Sequence, residues 1–228
     1  MKNDYLFAVA SIRANEASLL KEADLEQLIN APDYKKAVAL LQDKGWESPE
    51  GGDYSAMLDK ELEKTWELIN KNAPEAKALG TFVVKNDFQN LKAVLKAEVT
   101  GQKAENYFVS PSILDPADIL SAVKERRFDD LPEFISDTAK KAFDTVTKTG
   151  SGQLCDVIID TDALGAMLKF AKGSEDKTLT EYAESFCLAA DIKTAYRSMR
   201  TGKNKAFIEA ATVDCEGVNR QALIEASL

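Results

Sequence analysis

The sequence has 228 residues, of which 45% are hydrophobic and 29% are charged, and its formal net charge is -9. These fractions are ordinary for a globular protein, and the length allows one or two domains. An acidic surface repels phosphates, so the charge argues against a nucleic-acid partner and against docking onto anionic lipid. The sequence contains no histidine, the residue that most often serves as a general base or metal ligand near neutral pH. We therefore expect no catalytic residues, no metal and no cofactor.

The cysteines and the apolar segments indicate the compartment. The three cysteines, Cys155, Cys187 and Cys215, form no CxxC pair. An odd number of widely spaced cysteines suits a reducing cytoplasm better than a disulfide scaffold. Charged residues interrupt the N-terminal apolar stretch too early for a signal peptide. No uninterrupted apolar window reaches the roughly 18 residues that a membrane span needs. We expect a cytoplasmic protein without a direct membrane span.

Apolar residues at helical spacing predict helices throughout the first hundred residues. Pro32 and Pro74 suit the first turn of a helix, while a proline and two glycines predict a loop over residues 47–53. The predicted helices cover residues 5–21, residues 22–30, a segment from 32 that includes 34–41, residues 53–72, and a segment from 74 that continues or restarts over 87–99.

Helices are also predicted for the second half of the sequence. Asp115 before Pro116 predicts a capped helix start, and the glycines within residues 149–152 predict a loop. The apolar run 157–159 is compatible with a strand, but it leads directly into a helical pattern. The predicted helices cover residues 116–124, 130–147, 153–172, 178–190, 191–200, 205–211 and 219–228. The sequence therefore predicts an all-α fold.

Three segments of the sequence share one pattern. They are DYLFAVASIR from Asp4, DFQNLKAVLK from Asp87 and DIKTAYRSMR from Asp191. In each, an apolar residue follows the Asp, small or apolar residues recur at helical spacing, and a base closes the segment. These bases are Arg13, Lys96 and Arg200. An Asp near the start of a helix and a base near its end complement the helix dipole, so we predict that each Asp opens a helix. Any amphipathic helix with ordinary capping shows this much, and the segments alone do not establish a repeat.

The residues that follow these segments extend the match. Residues 23–25 align with 117–119 at an offset of 94, and the apolar positions of 34–41 fall on those of 128–135 at the same offset. Ile119 lies 32 residues after Asp87, and Leu223 lies 32 residues after Asp191. The pattern predicts three helical repeats, at 1–84, 85–188 and 189–228, of which the third is incomplete. We interpret the third repeat as lacking its C-terminal helices, and we expect exposed apolar surface around Ile192, Met199 and Leu223.

The three segments and the residues that follow them resemble a known family. The stretch YLFAVASIRANEASLLKEADLEQLINAPDYKKAVALLQDKGW resembles the N-terminal signature of the C subunit of V/A-type ATPases, the counterpart of the eukaryotic d subunit. DFQNLKAVLKAEVTG and DIKTAYRSMRTGKNKAFIEAA are similar to its second and third signatures, although residues 191–194 depart from the Asn-rich form of the third. The resemblance implies a pseudo-threefold set of helical bundles that forms a funnel-like socket. It implies as partners the central-stalk subunits and the proteolipid rotor ring, in a complex peripheral to the membrane, and a role in torque transmission without chemistry.

The three equivalent bases are candidate partner-binding residues. One hypothesis is that Arg13, Lys96 and Arg200 line a basic collar around the pseudo-axis and bind an acidic partner helix. The alternative is ordinary surface pairing, since Arg13 and Glu16 lie three residues apart on one helix face.

Two other classes of protein are weighed against the coupling function. A helical-repeat adaptor would grip a partner helix or peptide in an open, curved face rather than close around an axis. An enzyme is the least supported class, because residues 147–153 lack the Gly-Lys-Ser/Thr ending of a phosphate loop. The acidic pairs Asp129–Asp130 and Asp160–Asp162 are typical of solvated helix starts rather than of a cation site.

Overall fold

The computed structural model describes residues 4–48, 54–73 and 76–228 of the chain, and these residues form helices joined by short connections. The helices are α1 Asp4–Glu16, α2 Glu22–Ile29, α3 Tyr34–Asp43, α4 Tyr54–Asn72, α5 Ala76–Thr100, α6 Pro116–Lys124, α7 Glu133–Thr149, α8 Gly152–Gly173, α9 Lys177–Arg200, α10 Lys205–Ala210 and α11 Arg220–Glu225. Two short 3-10 helices cover Ala104–Tyr107 and Phe128–Asp130. The described residues contain no strand, and the all-α prediction is confirmed. Most of the loop predicted at 47–53, and the helix start predicted at Pro74, lie outside the described residues.

The chain divides into two compact units, Met1–Ala76 and Lys77–Leu228. In the first unit α1 packs against α4 and α2 against α3. The rings of Tyr34 and Tyr54 meet edge to face, with 3.9 Å between their centroids. Ala8 and Met57 are its buried apolar residues within the described ranges. Along α1, Ala8 is buried and the other described apolar residues are exposed, because α1 carries apolar residues on every side and buries no single face.

The second unit contains the main core. Its central elements are α5, α7, α8 and α9, and α8 packs against both α7 and α9. The largest fully buried side chains of this core are Phe88, Leu91, Leu95, Ile119, Ile135, Ile159 and Met167. Each such side chain contributes about 1.5–3 kcal/mol on burial, so this unit has a far larger hydrophobic driving force than the first.

Several helix boundaries follow from capping side chains that the sequence shows. The Asp115 carboxylate accepts from the N–H of Ala117 at the start of α6, as predicted. Gly150 ends α7 in the left-handed conformation, with φ of 67°, and Ser151 caps α8 by accepting from the N–H of Leu154. The loop predicted at 149–152 is thus a tight junction between two helices. Residues 157–159, for which a strand was also considered, lie inside α8.

Two predicted helix starts are wrong. Asp87 lies in the middle of α5 and Asp191 in the middle of α9, so neither carboxylate opens a helix or complements a helix dipole. Both side chains are fully buried. A buried Asp inside a helix and an exposed Asp at a helix start give the same local sequence pattern. Of the apolar residues expected to be exposed, Ile192 and Met199 are exposed, whereas Leu223 is half-buried.

Candidate partner-binding site

Arg13 lies in the last turn of α1 and is engaged locally. Its Nη1 atom donates to Oε2 of Glu16 at 2.8 Å, and its side chain is 74% exposed. The predicted pairing across three residues is therefore confirmed. An exposed helical pair of this kind contributes roughly 0.2–0.5 kcal/mol, so it leaves the guanidinium available to another carboxylate.

Lys96 lies on α5 and pairs with the neighbouring helix. Its Nζ donates to Oδ2 of Asp156 on α8 at 2.9 Å. One turn earlier on α5, the Nζ of Lys92 donates to Asp160, which also lies on α8. The two ion pairs join α5 to α8 along one edge, and they engage Asp160 as an ion-pair acceptor. Lys96 is therefore already neutralised by a carboxylate of its own chain.

Arg200 closes α9 and differs from the other two bases. Its side chain is exposed, and among the described residues it has no carboxylate partner. Arg13 belongs to the first unit and Lys96 and Arg200 belong to the second, where no described contact joins Lys96 to Arg200. Their shared role as a partner-binding collar stays a prediction.

The buried carboxylate of Asp87 holds the connection that leads into α6. Its two oxygens accept from the N–H groups of Leu114 at 2.8 Å and Ile113 at 3.1 Å. Asn90 exchanges two further hydrogen bonds with the backbone of Val109, and Asn86 donates to the carbonyl of Pro111. Burial raises the pKa of Asp87 to about 6, against the effect of the hydrogen bonds, which favour the charged form.

Asp191 does the same for the connection between α10 and α11. Both of its oxygens accept from the N–H of Val213, at 3.1 and 3.2 Å. Burial raises the pKa of Asp191 to about 6, while the bond from Val213 and the nearby charge of Arg220 act in the opposite direction. Arg220 also donates to the hydroxyl of Thr212 and to the carbonyl of Glu209. The sequence singled out both aspartates through their shared pattern, but spacing alone does not reveal the loop that each one holds.

The remaining polar candidates are buried, paired or exposed to solvent. Cys155, Cys187 and Cys215 are buried free thiols, and burial raises the pKa of Cys155 to about 11 and that of Cys187 to about 12. Asp130 pairs with Arg127, and Asp162 accepts from the hydroxyl of Thr138. Within the described ranges no group of three or more Cys, Asp or Glu side chains has the geometry of a metal site.

None of the described helices combines the length and the apolar content that crossing a membrane requires.

Comparison with known proteins decides the family. The family described as ATP synthase (C/AC39) subunit matches residues 8–227. The chain belongs to the C/AC39 family of V/A-type ATPase subunits. The resemblance seen in the three sequence segments is thereby confirmed.

The curated relatives of this C/AC39 chain are distant in sequence. The C subunit of the V-type sodium ATPase of Enterococcus hirae is 21% identical over 217 residues, which cover 93% of this chain and 66% of that protein. The C subunit of the A-type ATP synthase of Methanocaldococcus jannaschii is 29% identical over 115 residues, or 46% of this chain and 29% of that protein. The chain thus spans at most about two thirds of the length of these relatives. No solved structure matches it.

Proposed function

We propose that this C/AC39 chain is a non-catalytic coupling subunit that links the central stalk of a V/A-type ATPase to its proteolipid rotor ring. The observation that carries the proposal is the family match over residues 8–227. The protein would lie on the cytoplasmic side, peripheral to the membrane, and would transmit torque during ATP-driven or ion-driven rotation. Its partners would be the central-stalk subunits on one side and the ring on the other.

Corresponding elements support a repeated architecture. Asp87 and Asp191 are separated by 104 residues, and so are the first residues of α6 and α11, Pro116 and Arg220. Asp115 and Asn219, which cap α6 and α11, have the same separation. Shifting α2 by the offset of 94 found in the sequence places it on residues 116–123, within α6. These correspondences support three repeats at 1–84, 85–188 and 189–228, and for these repeats we propose the pseudo-threefold arrangement of a funnel-like socket.

Torque transmission requires connections that do not yield under load. In the second unit, the Lys92 and Lys96 ion pairs join α5 to α8, and Asp87 and Asp191 fix the connections that follow the two long helices. The ion pairs tie helix to helix and the aspartates tie helix to loop, so directional bonds act in addition to apolar packing. They support the proposal of a rigid coupling subunit.

Arg13, Lys96 and Arg200 are proposed as the bases that meet acidic side chains of the stalk. Their accessibility supports this role unequally: Arg13 is 74% exposed, Lys96 is 48% exposed but paired, and Arg200 is exposed and has no carboxylate partner in the described part of the chain. We therefore expect Arg200 to contribute most.

Co-purification tests the proposal. The tagged full gene product is expressed in its native host, and the membrane complex is extracted in mild detergent and identified by mass spectrometry. Central-stalk subunits and the proteolipid ring are both expected in the eluate. A correctly folded protein that retains neither partner would overturn the coupling function.

Charge reversal of Arg13, Lys96 and Arg200 together is expected to weaken retention of the stalk at least tenfold, and unchanged retention would overturn the collar.

A further inference from the structure

A cavity of about 490 Å³ lies between α8, α9 and α10 in the second unit. We call it the α9 cavity, and α9 lines it with Thr194, Arg197, Ser198 and Thr201. These residues stand at positions i, i+3, i+4 and i+7, so they lie on one side of the helix. All four side chains carry hydrogen-bond donors. The volume is in the range of cavities that hold small molecules.

Three of these four side chains have donors that the described part of the chain does not use. Arg197 is exposed and has no carboxylate partner among the described residues. The hydroxyls of Thr194 and Ser198 make no hydrogen bond there either, although Ser198 is only 3% exposed. By contrast, the hydroxyls of Thr145 and Thr201 donate to the carbonyl four residues earlier in their helices. Because a buried hydroxyl without a partner is costly, Ser198 points to an acceptor that a ligand supplies.

The residues at the start of α10 add a further base and an aromatic ring. Nζ of Lys203 donates to Oε1 of Gln153 at 2.8 Å and lies 4.9 Å from the centre of the Phe207 ring. All three residues line the α9 cavity. Gln153 is neutral, so Lys203 keeps its positive charge uncompensated, and Phe207 gives the cavity an apolar part.

Two carboxylates also line the α9 cavity, but lysines of α5 neutralise them. Asp156 pairs with Lys96 at 2.9 Å, and Asp160 pairs with Lys92. The two bases of the cavity are therefore not balanced by its carboxylates. The cavity is a local site for an anion on a chain whose net charge is -9.

The corresponding positions of α5 show what is particular to this face of α9. The residues 104 positions before Arg197, Ser198 and Thr201 have no hydrogen-bonding side chain; they are Ala93, Val94 and Ala97. Ala93 and Ala97 line an open cavity of about 440 Å³, although α7 and α8 are both present in the proposed second repeat. A repeat with all its helices thus leaves these positions open. The helices expected to complete the third repeat therefore do not account for the α9 cavity.

We infer that the α9 cavity binds a small organic phosphate. The phosphate oxygens would accept hydrogen bonds from Arg197 and from the hydroxyls of Thr194 and Ser198, because a guanidinium and hydroxyls together offer several donors to one anion. The organic part would lie against Phe207. The inference concerns a site of this chain alone and does not rest on the proposed coupling function.

Two other ligands fit the α9 cavity less well. A metal cation would be repelled by Arg197 and Lys203, and the carboxylates that could hold it are already paired with lysines. Inorganic phosphate would use the donors, but it would leave the Phe207 ring and most of the volume unused. An organic phosphate uses the donors and the apolar part together.

Three probes test the inference by isothermal titration calorimetry of the full gene product at low salt. They are phenyl phosphate, inorganic phosphate, which lacks the ring, and benzoate, which has the ring but a carboxylate in place of the phosphate. Phenyl phosphate is expected to bind at least tenfold more tightly than either of the others. Equal affinity for inorganic phosphate would overturn the organic part of the ligand, and equal affinity for benzoate would overturn the phosphate.

Two matched pairs of variants locate the binding. Arg197→Gln is expected to weaken phenyl phosphate at least tenfold, whereas Lys193→Gln, the same loss of charge at an exposed residue of α9 outside the cavity, is expected to change its affinity less than twofold. Ser198→Ala is expected to weaken it at least fivefold, because one hydrogen bond to a charged group is lost. Ser185→Ala, at an exposed serine of α9 outside the cavity, is expected to leave it unchanged.

Circular dichroism establishes that each variant is folded. The inference would be overturned if phenyl phosphate did not bind, or if Arg197→Gln and Ser198→Ala left its affinity unchanged. An equal loss in Arg197→Gln and Lys193→Gln would also overturn it, because the basic segment would then attract anions without a defined site.

Discussion

Single residues decide how the connections between the long helices are held. Asp87 and Asp191 are buried carboxylates that accept hydrogen bonds from backbone N–H groups more than twenty residues further along the chain. Desolvation opposes their charge and these bonds favour it, and desolvation has the larger effect. Near neutral pH the two carboxylates therefore hold their loops while their charged form is penalised by burial.

Replacement of Asp87 measures the value of its hydrogen bonds. Asp87→Ala is expected to lower the free energy of unfolding by about 2 kcal/mol at pH 7, because the N–H groups of Ile113 and Leu114 lose their acceptors. Asp87→Asn is expected to cost less, since one acceptor oxygen remains. Urea titration followed by circular dichroism gives both values. Asp129→Ala, at an exposed carboxylate, serves as the control and is expected to stay within about 0.5 kcal/mol. Equal effects of Asp87→Ala and Asp129→Ala would show that the hydrogen bonds contribute nothing.

The raised pKa of Asp87 predicts a pH dependence with a definite sign. The pKa is about 6 in the folded protein and 3.8 is the ordinary value, so the folded state binds the proton more tightly. The stabilisation that protonated Asp87 contributes to the folded state is fully present below pH 3.8 and is lost as the pH rises through 6. Wild type is therefore expected to gain stability relative to Asp87→Asn as the pH falls from 7 to 4, with a slope of at most about 1.4 kcal/mol per pH unit. Parallel pH profiles of the two proteins would contradict this shift.

At the level of elements, α5 approaches α8 closely at a glycine. A Cβ atom added at Gly80 would lie 2.5 Å from the ring of Phe170 on α8. That ring makes an edge-to-face contact with Phe134, with 5.5 Å between the centroids, so moving the ring away would disrupt this contact. The contact sets how near the two helices lie.

Two glycine substitutions in helices are expected to have opposite effects. Gly80→Ala is expected to destabilise the protein by about 1–3 kcal/mol through overpacking against Phe170. Gly165→Ala, inside α8, meets nothing within 4 Å and is expected to stabilise it by about 0.5–1 kcal/mol, because alanine loses less backbone entropy in a helix. Thermal and urea unfolding measure both. Stabilisation by Gly80→Ala would mean that the Phe170 ring moves freely.

Most elements of the fold were predictable from local chemistry. The Asp115 cap, the proline at the start of α6 and the break within residues 149–152 are visible in the sequence and lie where they were predicted. The continuity of α9 through Asp191 was not predictable, because a polar residue within an apolar pattern is equally typical of a helix start. What distinguishes the two is a partner at Val213, which only tertiary structure brings near. The exposure of the apolar residues of α1 was not predictable for a related reason, since apolar content alone does not show what covers a helix.

Among the candidate site residues, sequence spacing predicted local pairs and missed distant ones. The Arg13 and Glu16 pair follows from a separation of three on one helix. The pairing of Lys96 with Asp156 joins residues 60 positions apart and requires the packing of α5 on α8. The three bases looked equivalent in sequence, but their surroundings leave only Arg200 without a carboxylate partner among the described residues.

On the scale of the whole molecule, the two units differ in how much apolar surface they bury. Ala8 and Met57 are the buried apolar residues of the first unit within its described ranges, whereas the core of the second unit includes Phe88, Leu95 and Ile159. Local stability follows buried apolar contact, so the two units are not expected to open with the same free energy.

The distribution of tryptophan makes this difference measurable in the intact chain. Both tryptophans of the sequence, Trp46 and Trp66, belong to the first unit and are half-buried, so fluorescence reports that unit alone. Far-ultraviolet circular dichroism reports mainly the second unit, which contains most of the helical residues. The fluorescence transition is expected at a lower urea concentration than the dichroism transition. Coincident transitions would instead mean that the two units unfold as one cooperative body.

A variant with its only tryptophan in the second unit provides the matched control. Trp46→Phe and Trp66→Phe remove the original probes, and Phe108→Trp places a new one at a half-buried position of the second unit. Its fluorescence transition is expected to coincide with the dichroism transition, because both then follow the same core. If this variant also unfolds early by fluorescence, the difference belongs to the probe. If it unfolds late, the second unit is the more stable body, because its larger buried core holds when the first unit has already opened.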